Sequence, residues 1–260
     1  MTYFDSHAHY DDERFDNDRA TLLAALPSLG VCGVVNAGAN LNSSRASVTL
    51  AEAFSHVYAA AGVHPHDAET LDEGNFAELE KLFSHEKIVA VGEIGLDFYY
   101  DRSPRDTQRF WFKRQLALAL KWGLPVLIHS REAAAEVFEI IQNSGVRKGV
   151  IHSYSGSAET AREYVKMGFY IGVGGVVTFD KTKKLPEVVR QVPLENILIE
   201  TDAPYMTPAP HRGKRNDSSY LKYIVEAIAA IKNVTPEEVA AVTKENAEKL
   251  FRASSKGGTV

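Results

Sequence analysis

Eight short apolar runs, each followed by a longer helical pattern, predict an α/β chain folded as a single-domain (β/α)8 TIM barrel. A doubly wound open sheet permits the same alternation, and two further observations select the barrel. Eight units fit a chain of 260 residues, an ordinary size for this architecture. The ionisable residues that end the runs follow strands 1, 4, 5, 6 and 8. Those positions face one another across a closed mouth but not along an open sheet.

The runs that predict strands are 3–6, 31–37, 57–62, 88–93, 125–129, 149–152, 170–173 and 197–201, each rich in Val, Ile, Ala or Tyr. Helical spacing predicts helices over 14–29, 43–54, 76–84, 105–122, 133–143, 159–167 and 183–191, with a final pair over 218–232 and 236–251. The last helix has a clear start: Thr235 as N-cap, Pro236 at the first position and Glu238 closing a capping box. No linker or low-complexity tract divides the chain, so residues 1–252 are expected to form the barrel and 253–260, rich in Ser and Gly, a flexible tail.

Composition narrows the class. Hydrophobic residues make up 45% and charged residues 24%, as in soluble globular proteins. A net charge of −5 gives no global basic field, so a nucleic-acid substrate would need local positive charge. Cys32 is the single cysteine, which precludes an intrachain disulfide and suits a reducing cytosol. The start MTYFDSHAHY carries no secretory signature, and no apolar stretch approaches the ~18 residues of a membrane span. The expectation is a cytoplasmic protein with no membrane partner, and a monomer because no long apolar patch is evident.

Six residues at strand ends could carry metal chemistry: His7, His9, Glu93, His129, His152 and Asp202. His7 and His9 alternate with Ala8, so both imidazoles can face the barrel axis. Glu93 ends an apolar strand, where a carboxylate is costly unless paired or metal-bound. Each residue alone has a plainer role as a core histidine, an ion pair or a turn cap. Together they supply the donors for two divalent ions, magnesium, manganese or zinc, sharing one carboxylate. Barrel active sites lie at the C-terminal ends of the strands, where these residues fall. Arg131 near the rim, and Arg215 within the basic cluster Arg212, Lys214, Arg215, suit phosphate contacts. Exposed Tyr99, Tyr100 and Tyr205 could stack on unpaired bases or pack their own loops.

The segments DSHAHYDDERFDNDR, AAGVHPHDA, AVGEIGLDFYYDRSPRDTQ, PVLIHSREA, IHSYSGS and ILIETDAPYMTP occur in this order. Through them nearly the whole chain resembles the TatD family of metal-dependent deoxyribonucleases, within the amidohydrolase-like TIM-barrel group. The resemblance implies one metal site of His7, His9, Glu93 and Asp202, and a second of Glu93, His129 and His152, with Glu93 bridging. It also makes His64 of GVHPH a contact near the scissile phosphate, while His66 can pin its own loop. Asp217, Ser218 and Ser219 replace the Glu-Pro-Ala of many relatives after RGKRN, which puts any substrate contact made through that turn in doubt.

The expected function is a divalent-metal-dependent phosphodiesterase of DNA that activates water at a binuclear centre. The resemblance implies 3′–5′ exodeoxyribonuclease action on single strands or 3′ ends. Asp202 and Glu93 are the expected catalytic residues; His64, Arg131 and Arg215 are the expected substrate contacts. The alternative is an amidohydrolase-type hydrolase of a small amide, ester or lactone, since fold does not fix chemistry.

Overall fold

The computed structural model describes residues 1–252. Eight strands and their helices alternate in the order β1 (Tyr3–Ala8), α1 (Arg19–Ala25), β2 (Val31–Ala37), α2 (Leu41–Ala53), β3 (Val57–Ala61), α3 (Glu73–Leu82), β4 (Ile88–Asp97), α4 (Arg105–Trp122), β5 (Val126–Arg131) and α5 (Ala134–Ser144). The second half continues with β6 (Gly149–Ile151), α6 (Ala158–Lys166), β7 (Phe169–Val173), α7 (Lys184–Gln191), β8 (Ile197–Ile199), α8 (Leu221–Lys232) and α9 (Pro236–Arg252). Every strand from β1 to β8 pairs in parallel with the next, which gives the (β/α)8 TIM barrel.

The ring shuts between β8 and β1, and that joint is thin because β8 has three residues. Just past the strand ends, the His9 amide donates to Ala203 O (2.7 Å) and the Asp202 amide to His7 O (2.9 Å). Side chains supply the rest: Ser6 Oγ donates to Ile199 O at 3.0 Å. Asp5 accepts from the Thr201 amide (2.9 Å), Thr201 Oγ1 (2.6 Å) and Ser218 Oγ (2.6 Å). Burial pushes the Asp5 carboxyl up to about 7, against these hydrogen bonds.

Inside the barrel, Phe4, Val35, Val89, Leu127, Val150, Tyr170 and Leu198 form one apolar cluster with Ala247, Leu250 and Phe251 of α9. Phe251 stacks on Phe4 with ring centroids 5.9 Å apart, so α9 seals the end from which the strands start. A larger apolar layer lies between sheet and outer helices. One end is therefore plugged with hydrocarbon, and polar groups gather at the other. At the start of α9 the Glu238 amide donates to Thr235 Oγ1 at 3.2 Å.

Two elements differ from expectation. The single helix expected over 14–29 is broken into a 3-10 turn at Glu13–Phe15, α1, and a second 3-10 turn at Leu26–Leu29. Asp12 caps the first turn through its side chain, and Pro27, which has no N–H, sits in the first turn of the last. Strand β4 runs past Glu93 to Asp97, so Glu93 lies inside the strand and does not end it. Gly95 makes this possible: at φ +151° it lies so close to β5 that a Cβ would stand 1.9 Å from His129 O. Among the described residues no helix is long and apolar enough to cross a membrane. The tail expected to be flexible, 253–260, lies outside the described residues.

Candidate metal centre

His7, His9, Glu93, His129, His152 and Asp202 converge at the open end of the barrel. β1 delivers His7, with His9 one residue beyond its end; β4 and β5 deliver Glu93 and His129. β6 and β8 stop at Ile151 and Ile199, so His152 and Asp202 stand on the loops that follow. Asp202 has φ +56° and Ser153 φ +45°, left-handed conformations uncommon for non-glycine residues.

The two oxygens of Glu93 face different partners. Oε2 lies 3.3 Å from His7 Nε2 and 3.6 Å from His9 Nε2. Those two nitrogens are 3.1 Å apart, and Asp202 Oδ1 stands 3.8 and 3.5 Å from them. Oε1 lies 2.9 Å from His129 Nδ1 and 3.1 Å from His152 Nε2. Donor atoms of His7, His9 and Asp202 lie within 4.8 Å of one another, as do those of His7, Glu93 and His152. Each grouping offers a divalent cation both imidazole and carboxylate donors.

Tautomers sharpen the assignment. His9 Nδ1 is 2.9 Å from Ala37 O, and a carbonyl only accepts, so Nδ1 carries the proton and Nε2 presents a lone pair to the centre. His129 Nε2 is 3.1 Å from Asp97 Oδ2, which likewise leaves Nδ1 for the centre. His64 is the reverse. Its Nδ1 accepts from the His66 amide at 3.1 Å, so Nε2 bears the hydrogen where it faces Glu93 Oε1 at 3.6 Å. His64, Glu93 and His129 are close enough to share an ion. The hydrogen on His64 nonetheless makes it a donor, not a ligand.

Electrostatics prepare the same set. Burial would raise the Glu93 carboxyl, but the surrounding histidines, His152 foremost, and the hydrogen bond from His129 hold it well below the usual range. Burial and the neighbouring His129 keep His64 neutral. Burial also acts against a proton on His9, yet the Asp202 hydrogen bond and the Glu93 charge raise it to about 9. A cation binding there displaces such protons. Buried His7 Nδ1 and Glu200 Oε2 have no hydrogen-bond partner among the described residues, so the polar floor of the mouth is left under-satisfied.

The mouth itself is a cavity of about 760 Å³, lined by His9, Glu93, His129, His152, Asp202 and Arg131 among others. Arg215 is not among its lining residues: a bidentate pair with Asp18 (2.7 and 2.6 Å) holds it. His66 lies 2.9 Å from Asp97 Oδ2 and so pins its loop to β4. Asp97 escaped the reading of the sequence. A fully buried carboxylate, it faces His66 and His129 and caps the Tyr99 and Tyr100 amides. The signal was there, since Glu93 and Asp97 stand four apart on one strand and so share a face.

A family model described as TatD related DNase matches residues 4–252. The chain belongs to the TatD family. It is 43% identical over 251 residues to the metal-dependent hydrolase YabD of Bacillus subtilis, covering 96% of this chain and 98% of that one. It is 32% identical to the 3′-5′ ssDNA/RNA exonuclease TatD of Cronobacter sakazakii, over 95% and 97% of the two chains. The crystal structure of YJJV, a TatD homologue from Escherichia coli, superposes with a TM-score of 0.91 at 30% identity, covering 96% and 98%. This TatD protein is accordingly a metal-dependent hydrolase with candidate His, Glu and Asp ligands at its barrel mouth.

Proposed function

We propose that this TatD protein is a divalent-metal-dependent phosphodiesterase of DNA, removing nucleotides from a free 3′ end of a single strand. The observation that carries this reading is Glu93, with one oxygen toward His7 and His9 and the other toward His129 and His152. In this reading His7, His9, Glu93 and Asp202 hold one cation, and Glu93, His129 and His152 the second. Two divalent ions, magnesium, manganese or zinc, would neutralise phosphate oxygens and make water a nucleophile at neutral pH.

The protein's own groups do the rest. Asp202, whose Oδ1 stands 3.8 and 3.5 Å from His7 and His9 at the centre, accepts the proton of the attacking water. Water oxygen bonds to phosphorus as the bond to the 3′ oxygen of the neighbouring nucleotide breaks, and Asp202 relays the water's proton to that oxygen, which leaves as a hydroxyl. His64 Nε2–H donates to a phosphate oxygen, and Arg131 holds the phosphate from the rim. The preference for DNA and for the 3′ end draws on the exonuclease relative, to which this chain is 32% identical. Arg131, whose side chain has no hydrogen-bond or ion-pair partner among the described residues, favours phosphate over an uncharged amide or lactone.

The test uses single-stranded DNA labelled at either end, with magnesium, manganese or zinc and an EDTA control. A metal-dependent ladder that shortens from the 3′ end, and is lost in His129→Ala and Asp202→Ala, is expected. Full cleavage rates in both variants would sink the mechanism.

A further inference from the structure

Three described arginine side chains, Arg102, Arg131 and Arg212, have no hydrogen bond or ion pair with another described residue; each lies over an aromatic ring instead. Two of the three, Arg102 and Arg131, line the mouth. The Arg131 guanidinium sits 4.1 Å from the Tyr99 ring centre and 4.6 Å from that of Tyr100. Those rings meet edge to face at 5.0 Å, so the guanidinium rests in the corner they make. Tyr99 and Tyr100 are 59% and 50% exposed, among the most exposed large apolar side chains of the molecule. Exposed aromatics beside a cavity call for an occupant.

The corner is held firmly. Asp97 Oδ1 accepts from the Tyr99 and Tyr100 amides at 3.0 and 2.9 Å, and its other oxygen faces His129. The platform and one candidate ligand therefore hang on one buried carboxylate. Across the mouth the same chemistry is spent. Arg14 lies over Tyr205 at 4.1 Å but is chelated by Asp12, and Arg215 is chelated by Asp18. Asp11 also lines that side, where its charge repels phosphate.

We infer that Tyr99, Tyr100, Arg131 and Arg102 form a nucleotide-binding subsite on the β4–β5 wall, and that a bound single strand leaves the metal centre over this wall. An unpaired base stacks on the exposed tyrosine, and the free guanidinium donors take the adjoining phosphates. This inference rests on the proposed phosphodiesterase reading and adds a path for the strand.

The test is fluorescence anisotropy with metal-loaded protein and a fluorescein-labelled, phosphorothioate-linked single strand that resists cleavage. Tyr99→Ala is expected to raise Kd at least about fivefold, and Arg131→Gln about tenfold. Arg131→Gln should also flatten the salt dependence by roughly 0.7 in log–log slope, one phosphate contact on a single strand. Arg14→Gln, on the opposite wall, should leave the slope as it was. Unchanged Kd in both β4–β5 variants, or an equal change in Arg14→Gln, would overturn the subsite. Wall-specific binding in a protein that cleaves no phosphodiester would instead overturn the proposed activity and leave the subsite standing.

Discussion

The two sides of the barrel mouth carry nearly the same pair of groups in opposite electrical states. On the β4–β5 side Arg131 lies 4.1 Å over Tyr99; on the β8–β1 side Arg14 lies 4.1 Å over Tyr205. Arg14 is clamped by Asp12 at 2.9 Å through two nitrogens, and Tyr205 donates its hydroxyl to the same carboxylate at 3.0 Å. Arg131 has no such partner among the described residues. A basic residue matters to an anionic substrate only if the fold has not already neutralised it. The β8–β1 side thus serves as a closed structural joint, and the β4–β5 side stays available to a ligand.

The largest expected effect tests the floor that both walls share. Glu93→Gln removes the charge common to both donor groups and should lower turnover at least about 10³-fold, with lost metal measured by atomic absorption. Retention of bound metal would mean that the walls do not meet at a shared carboxylate. Asp202→Asn, on the β8 side, should reduce kcat by about 10²- to 10⁴-fold with little change in KM, as expected for a proton acceptor. A pH–rate profile separates this from metal loss, since the acid limb should disappear only if Asp202 moves the proton.

Asp97→Asn acts on the β4–β5 side alone. It should weaken metal affinity or activity by about 10- to 100-fold, the usual effect of a group that orients a ligand, and raise KM for an oligonucleotide more than for a small chromogenic diester. An equal rise for both substrates would uncouple the tyrosine platform from His129.

The smallest effect is on stability. The Arg14 guanidinium draws the Asp12 carboxyl down to about 2, with the Tyr205 hydroxyl adding to it and partial burial opposing it. A depressed folded-state pKa stabilises above the unfolded value near 4, and the benefit disappears as pH falls toward 2. The gap in Tm between wild type and Asp12→Asn should therefore be present at neutral pH, close below pH 4 and shrink in high salt. A gap that widened in acid would mean that Asp12 stabilises as a neutral group.

The sequence carried the barrel because each strand is a short buried run and the candidate ligands fall at or near the strand ends, Glu93 inside β4 excepted. It did not carry the neutralisation of Arg215, whose partner Asp18 is 197 residues away and lies on a helix start expected as part of a longer helix. Asp97 was hidden for a different reason. A charged residue after Gly-Leu looks like a loop, yet amides and two imidazoles satisfy it inside the strand. His64 shows a third limit, because its role as donor depends on which nitrogen the His66 amide occupies, a matter of backbone geometry and not of residue type.

The thin joint between β8 and β1 has a consequence for how the protein is made. His7 and His9 leave the ribosome well before Asp202, and they face each other only when the ring shuts. A partly synthesised or misfolded barrel holds half of a donor set and cannot assemble the centre. The candidate centre therefore exists only once the ring has shut.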